Sequence, residues 1–226
     1  MYPQLKPTPI TAENLNQVHP QAARSLFWEM EGQVAKDVAT SGAPTLEKEA
    51  WLARTLLDDG PCGFNLMLDE ARGRGQLPGV GSRAVATILY CHPYFAPGAG
   101  ALPTAPVSAD AYLATSLFID AGFAGVGLET VLLDACLTDL TARRVPAVEA
   151  FAVQDEVAEA EPEVTEIAEH AREIGMFAYE VLRGAGFTVT AQHPRVPRLR
   201  LELPPAGGLL TDAAVDDLLA CALARV

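Results

Sequence analysis

Residues 111–151, AYLATSLFIDAGFAGVGLETVLLDACLTDLTARRVPAVEAF, constrain the fold more than any other stretch of the chain. Ala111 to Asp120 reads as a strand buried on both faces. Glycines at 122, 125 and 127 then interrupt the pattern. Leu128, Leu132, Leu133, Cys136, Leu137 and Leu140 follow at helical spacing, with Thr130, Asp134, Thr138 and Thr141 as the polar stripe. Arg143 and Arg144 close that helix at the negative end of its dipole. VPAVEAFAV returns as a strand parallel to the first, so the unit is a βαβ with a right-handed crossover. Its turn places free backbone N–H groups and the positive end of a helix at one spot, which suits an anion such as a phosphate. The plain alternative is a tight strand–helix turn that holds nothing.

The turn spacing, Gly122-x-x-Gly125-x-Gly127, is not the dinucleotide fingerprint GxGxxG, and no Gly-Lys-Ser/Thr of a P-loop is present. Around it, TLEKEAWLARTLLDDG predicts a helix stopped by Gly60-Pro61. CGFNLMLDE and SRAVATILYC predict two strands, joined by the glycine-rich ARGRGQLPGVGS into a hairpin. HPYFAPGAGALPTAPVSAD is long and irregular, as loops over binding sites are. There Tyr94 and Phe95 either cap an apolar pocket or anchor the loop.

Further on, QDEVAEAEPEVTEIAEHAREIG is acidic, and AREIGMFAYEVLRGAGF predicts one helix ended by Gly184 to Gly186. FTVTAQHPRVPRLRLEL supplies two short strands, the last wet on one face because Leu199, Leu201 and Leu203 alternate with Arg198, Arg200 and Glu202. TDAAVDDLLACALARV predicts a helix with Thr211 as N-cap. Residues 1–42 read as an extension packing on a domain of 43–226: an extended proline-rich start, a short helix at ITAENLNQV capped by Thr11, and a helix at AARSLFWEMEG. In that last segment Trp28 and Glu29 pack on the domain or line a substrate pocket.

A net charge of −13 over 226 residues argues against nucleic acid as the main partner. It suits a cationic substrate such as an amine, and equally serves solubility. With 50% hydrophobic residues and no run of about 18 apolar ones, the expectation is a protein with a full core and no membrane span. The N-terminus has no signal-peptide pattern. The four cysteines, Cys62, Cys91, Cys136 and Cys221, form no CxxC pair. Buried free thiols of a cytoplasmic protein are expected, and no metal site.

Two meandering strands, the strand–glycine turn–helix–strand unit, a further helix ending in Gly-Phe and two final strands resemble the GNAT superfamily of acetyl-CoA-dependent N-acetyltransferases. The resemblance spans about residues 45–203. Gly125 and Gly127 match the two small positions of the family's core motif, and Gly186 with Phe187 its second landmark. An FWE-like segment, Phe27, Trp28 and Glu29 here, resembles an extension of some actinobacterial members. The resemblance implies an α/β (α+β) fold: a mixed, mostly antiparallel sheet flanked by helices and splayed around the βαβ unit. It implies that acetyl-CoA lays its pyrophosphate on the N–H groups of Phe123, Ala124, Gly125, Val126, Gly127 and Leu128. The pantetheine arm then runs beside the backbone of Leu117, Phe118 and Ile119, and a backbone N–H near Ile119 polarises the thioester. An amine, small or on a peptide, attacks directly, with no covalent enzyme intermediate.

The chain departs from the family pattern in three ways. Gly122 replaces an Arg or Gln at the head of the motif. Leu182 stands where many members have a tyrosine as general acid, and Tyr179, one turn earlier, is the candidate substitute. No base is obvious; Glu149 is the best carboxylate and His92 the alternative, although three of the four histidines, His92 among them, precede proline. The rival reading is therefore a catalytically degenerate acyl-CoA-binding or protein-interaction module of the same fold. A nucleotide-binding α/β module is a third reading, and needs parallel strands on both sides of the turn. A homodimer stays open.

Overall fold

The structure is a computed structural model and describes residues 4–69, 82–154 and 161–225. The glycine-rich hairpin connection at 70–81 and the acidic stretch 155–160 lie outside the described residues.

The strands are β1 (Gln4–Pro9), β2 (Gly63–Asp69), β3 (Ser82–Cys91), β4 (Ala111–Ile119), β5 (Ala147–Val153), β6 (Phe177–Ala178), β7 (Thr188–Ala191) and β8 (Arg198–Glu202). The helices are α1 (Gly32–Ser41), α2 (Pro44–Asp58), α3 (Leu128–Ala142), α4 (Pro162–Glu169), α5 (Tyr179–Gly184) and α6 (Asp212–Leu223). Among the described residues the strands form one eight-stranded sheet in the order β1-β2-β3-β4-β5-β8-β7, with β6 beside β5. All neighbours are antiparallel except β4–β5 and β5–β6. The expected mixed, mostly antiparallel sheet flanked by helices is what the chain forms. The parallel pair needed on both sides of the turn for a nucleotide-binding module is absent among the described residues, because β3 meets β4 antiparallel.

Side-chain alternation divides the strands between two faces. On one, Ile88, Tyr90, Ala114, Val148, Ala150 and Ala152 pack against α3, α5 and α6. Leu128, Val131, Leu132, Leu133, Cys136, Leu137 and Leu140 of α3 are all buried there. At about 1.5–3 kcal/mol for each large apolar side chain, that helix is held by its burial rather than by capping. On the other face the N-terminal stretch packs down: Ile10, Val18, Ala22 and Leu52 meet Leu89 and Phe118, and Trp28 meets Leu113 and Phe151. β1 is the proline-rich start, extended as read, and an edge strand tolerates Pro7 and Pro9.

Three expectations differ from the structure. AARSLFWEMEG is no helix but a series of turns, with Ala23 N–H on His19 O and Met30 N–H on Leu26 O. Long-range contacts hold it instead. Gly98 donates its N–H to Trp28 O at 3.1 Å, and a Cβ on Gly98 would meet Phe27 O at 1.7 Å. Only glycine allows that approach. The helix forms one step later, as α1, and ends at Gly42 with φ 88°. The helix expected over 171–187 is broken at Gly175, φ +69°, into a turn, β6 and the short α5. Thr11 caps no α-helix; Leu15–Gln17 is a single 3-10 turn. The C-terminal cap is as read: Thr211 accepts from Ala214 N–H at 3.2 Å.

Candidate functional site

β4 and β5 pair from Ala111–Ala147 to Ala114–Ala150 and then part. Beyond that point β4 follows β3 as far as Ile119, past a bulge between Leu89 and Tyr90, while β5 turns to β6 at Ala152 and Val153. Two parallel strands that diverge leave backbone N–H and C=O groups facing an opening, and buried groups of that kind need partners. One partner comes from the chain itself. Leu117 N–H donates to Gly175 O at 2.8 Å. The indole N–H of Trp28 donates to the neighbouring Ile174 O at 2.7 Å. Gly175 is pressed against β4: a Cβ there would lie 2.7 Å from two ring carbons of Phe118 and 2.9 Å from Ser116 Cβ. Ser116 Oγ, buried beside it, has no hydrogen-bond partner. Of the edge Leu117, Phe118, Ile119 that the sequence singled out, one N–H facing the opening is therefore engaged by residues 174–175.

At the far end of β4 the chain makes a 3-10 turn, Ala121–Phe123, then passes through Gly125 (φ +70°) and Gly127 (φ +91°) into α3. These two positions need the left-handed region, whereas Gly122 does not. Phe123 N–H is satisfied by Asp120 O, and Ala124 N–H by Ala121 O at a long 3.4 Å. Gly125 N–H donates to Glu129 Oε1 at 3.2 Å, so a carboxylate from the first turn of α3 already sits on the cradle. That is favourable for the helix dipole and competes with any other anion. Leu218 of α6 backs Gly127 closely; a Cβ there would meet Leu218 Cδ2 at 2.8 Å.

Asp120, just before the turn, holds Arg83 and His19. His19 Nδ1 accepts from Gln21 N–H, so Nε2 carries the proton that it gives to Asp120 at 2.8 Å. Burial pushes the Asp120 carboxyl up, but the hydrogen bonds from Arg83 and His19 outweigh it and hold it below its ordinary value.

Glu149, expected near the opening as a base, lies inside the paired stretch opposite Leu113. It is fully buried and ion-paired with Arg198 and Arg200, and Ser108 N–H donates to it at 3.2 Å. Two guanidinium groups compensate the buried carboxylate, and the geometry makes it part of a structural ion-pair cluster inside the sheet. Tyr179 follows β6 directly as the first residue of α5 and is half-buried on the α3 face, while Leu182 is wholly in the core. His92 sits at the end of β3, opposite the N-terminal end of β4. Its Nδ1 accepts Tyr94 N–H, and its own N–H donates to Asp59. This is a local turn device away from the opening.

Glu29 of the N-terminal stretch and Tyr94, Phe95 and Pro97 of the loop after β3 come together beside α2. Glu29, Trp51, Arg54, Tyr94, Phe95 and Pro97 line a cavity of about 210 Å³. Glu29 is buried and paired with the equally buried Lys48. Trp51 fixes the opposite wall by donating its indole N–H to Phe95 O at 2.7 Å. The Lys48 pairing gave no sequence signal, since Glu29 and Lys48 lie 19 positions apart in different elements. Gly175 did leave a signal: a glycine inside a helical pattern.

Among the described residues no group of three or more His, Cys, Asp or Glu could hold a metal ion, and no helix is long and apolar enough to cross a membrane. Neither a protein-family model nor a curated relative matches the chain. Among solved structures the chain is similar to the PaiA N-acetyltransferase of Thermoplasma acidophilum in complex with coenzyme A. The identity is 8% and the TM-score 0.47, over 88% of this chain and 98% of that one. It is similar to the ribosomal-protein-S5-alanine acetyltransferase of Vibrio fischeri at 8% identity and TM-score 0.44, over 89% and 94%. It is also similar to the ribosomal-protein-S18-alanine N-acetyltransferase of Escherichia coli at 11% identity and TM-score 0.42, over 92% and 97%.

Proposed function

We propose that the chain is a GNAT-type N-acyltransferase that takes acetyl-CoA into the opening between β4 and β5 and passes the acetyl group to an amine. One observation carries the reading: two parallel strands part beyond Ala114 and Ala150, and the edge of β4 that faces the opening leads straight into the glycine turn at the start of α3. An extended arm with amide groups pairs with such an edge as an added strand does once Gly175 yields Leu117 N–H, and phosphates suit the N–H groups of residues 126–128, with that of Gly125 once Glu129 is displaced. The amine nitrogen attacks the thioester carbonyl, the C–N bond forms, the C–S bond breaks, and the thiolate leaves to be protonated. Backbone N–H groups of β4 stabilise the oxyanion. Tyr179 is the proton donor to the thiolate; the amine's proton goes to solvent, Glu149 being engaged. Residues 1–42 act as an extension of the domain 43–226 and help to bind the acceptor. The protein works in the cytoplasm, without a metal.

A second reading, a non-catalytic module of the same fold, is favoured by the engagement of Leu117 N–H by Gly175 and of Gly125 N–H by Glu129. Calorimetry with acetyl-CoA and a free-thiol assay with an amine panel separate the two. Under the first reading Glu129→Gln binds acetyl-CoA several-fold tighter than wild type and Gly125→Glu much more weakly, and an amine releases thiol. Equal binding by all three proteins sinks the cofactor site. Tight binding without thiol release from any amine selects the second reading.

A further inference from the structure

The cavity beneath Tyr94 has a composition that the acyl-transfer reading does not use. Its walls are the rings of Trp51, Tyr94 and Phe95 with Pro97, and Glu29 lines it from below. Lys48 takes Glu29 Oε1, whereas Glu29 Oε2 is buried with no hydrogen-bond partner. An unpartnered carboxylate oxygen out of water is costly, and a donor that reaches it recovers that cost. The ring faces already hold cations. Lys48 Nζ stands 5.6 Å from the centre of Trp51. The Arg54 guanidinium stands 6.0 Å from Tyr94 and 5.8 Å from Phe95.

We propose that this cavity is a binding site for a small organic cation, an alkylguanidinium or alkylammonium group, and that Arg54 occupies it as a resident stand-in. Arg54 is weakly held. Its side chain is 61% exposed and its partner Asp58 lies at 3.5 Å, itself 48% exposed; its bond to Tyr94 Oη is also a long 3.5 Å. It can leave at little cost, since exposed pairs of this kind contribute little. Once it swings out, the Lys48–Glu29 pair is neutral as a whole, and Glu29 Oε2 with the ring faces of Trp51, Tyr94 and Phe95 is left to receive an incoming cation. About 210 Å³ admits the end of a side chain or a short diamine and excludes a nucleotide or a sugar chain. The proposal stands whether or not the β4–β5 opening takes acetyl-CoA.

The test is a titration with agmatine, with butyrate as the anionic and 1-butanol as the neutral control, followed by calorimetry and by ¹H–¹⁵N spectra. The chain has two tryptophans, and their indole N–H groups report from different places: Trp51 from the cavity, Trp28 from the β4–β5 opening. Agmatine should shift the Trp51 indole signal, and the controls should leave it unmoved. Removing the stand-in with Arg54→Ala should tighten agmatine about threefold or more. Removing a ring face with Tyr94→Ala should weaken it about five-fold, as loss of a partly exposed cation–π contact does. Both side chains are exposed, so both variants fold. Glu29→Gln paired with Lys48→Met, which leaves no lone buried charge, should abolish the shift. No agmatine binding in either wild type or Arg54→Ala, equal binding of butyrate, or affinities that neither exposed variant changes would overturn the proposal.

Discussion

The contact between Gly175 and β4 makes a sharp test through Gly175→Ala. The residue has φ +69°, where an alanine costs about 1–2 kcal/mol. Its new Cβ would stand 2.7 Å from Phe118 ring carbons and 2.9 Å from Ser116 Cβ, which are buried and backed by the N-terminal segment. Overpacking of that order adds about 1–3 kcal/mol. The relief open to the molecule is detachment of residues 174–175 from β4, since the Leu117–Gly175 hydrogen bond that opposes it contributes only about 1 kcal/mol. The strain should therefore appear as local opening. With tenfold for every 1.4 kcal/mol, exchange of the Leu117 amide should rise between about 30-fold and a few thousand-fold. Amides in the stretch of β4 that pairs with β5, such as Leu113, should lag far behind. Native-state hydrogen exchange by NMR reads both. Unchanged exchange at Leu117, or a rise shared equally by Leu113, would refute the argument: the first denies the contact, the second spreads the strain through the sheet. If the opening takes acetyl-CoA, the same variant should also bind it more tightly.

Glu149→Gln should destabilise by about 3–5 kcal/mol, because Arg198 and Arg200 lose the buried anion that they share; urea unfolding measures it, and retained thiol release in the folded variant would confirm that Glu149 is no base. Asp120 has a folded-state pKa below its unfolded one, so its contribution is present above the ordinary Asp value of about 4 and is lost as pH falls through the folded value. Thermal melts from pH 6 to pH 3 should show Asp120→Asn with a shallower loss than wild type. Burial pushes the Cys62 thiol up to about 12 and Cys91 and Cys136 well above their ordinary range, whereas Cys221 is exposed. Ellman's reagent should therefore titrate one thiol in the native protein and four after unfolding.

What the sequence disclosed and what it withheld divide along physical lines. The βαβ unit was legible because its signals are local. Apolar β4 and β5, glycines whose left-handed conformation the turn requires, and a leucine face on α3 all point the same way. The hairpin of β2 and β3 and the capped α6 were legible for the same reason. The segment around Trp28 was misread because its apolar residues do show helical spacing, while the contacts that override it come from Gly98 and Ile174, far along the chain. At the candidate site the glycine turn was readable. The occupants were not: Gly175 reaches Leu117 across 58 positions of sequence, and Arg198 and Arg200 reach Glu149 only once β8 has paired with β5. A partner brought by tertiary structure leaves no periodic trace.

Trp28 touches both ends of this arrangement. Its indole N–H holds Ile174, the neighbour of the residue lodged against β4, and its backbone carbonyl receives Gly98 N–H from the loop that walls the cation cavity. A ligand that draws Ile174 away must move the indole, and with it the backbone on which the cavity is built. If acetyl-CoA takes the opening and agmatine the cavity, the two occupancies should be linked, and linkage is reciprocal: the factor by which acetyl-CoA changes agmatine affinity equals the factor by which agmatine changes acetyl-CoA affinity. Two titrations, each repeated in the presence of the other ligand, yield that factor twice. Trp28→Phe, which removes the indole donor and keeps the aromatic bulk against Phe151, should bring it toward unity.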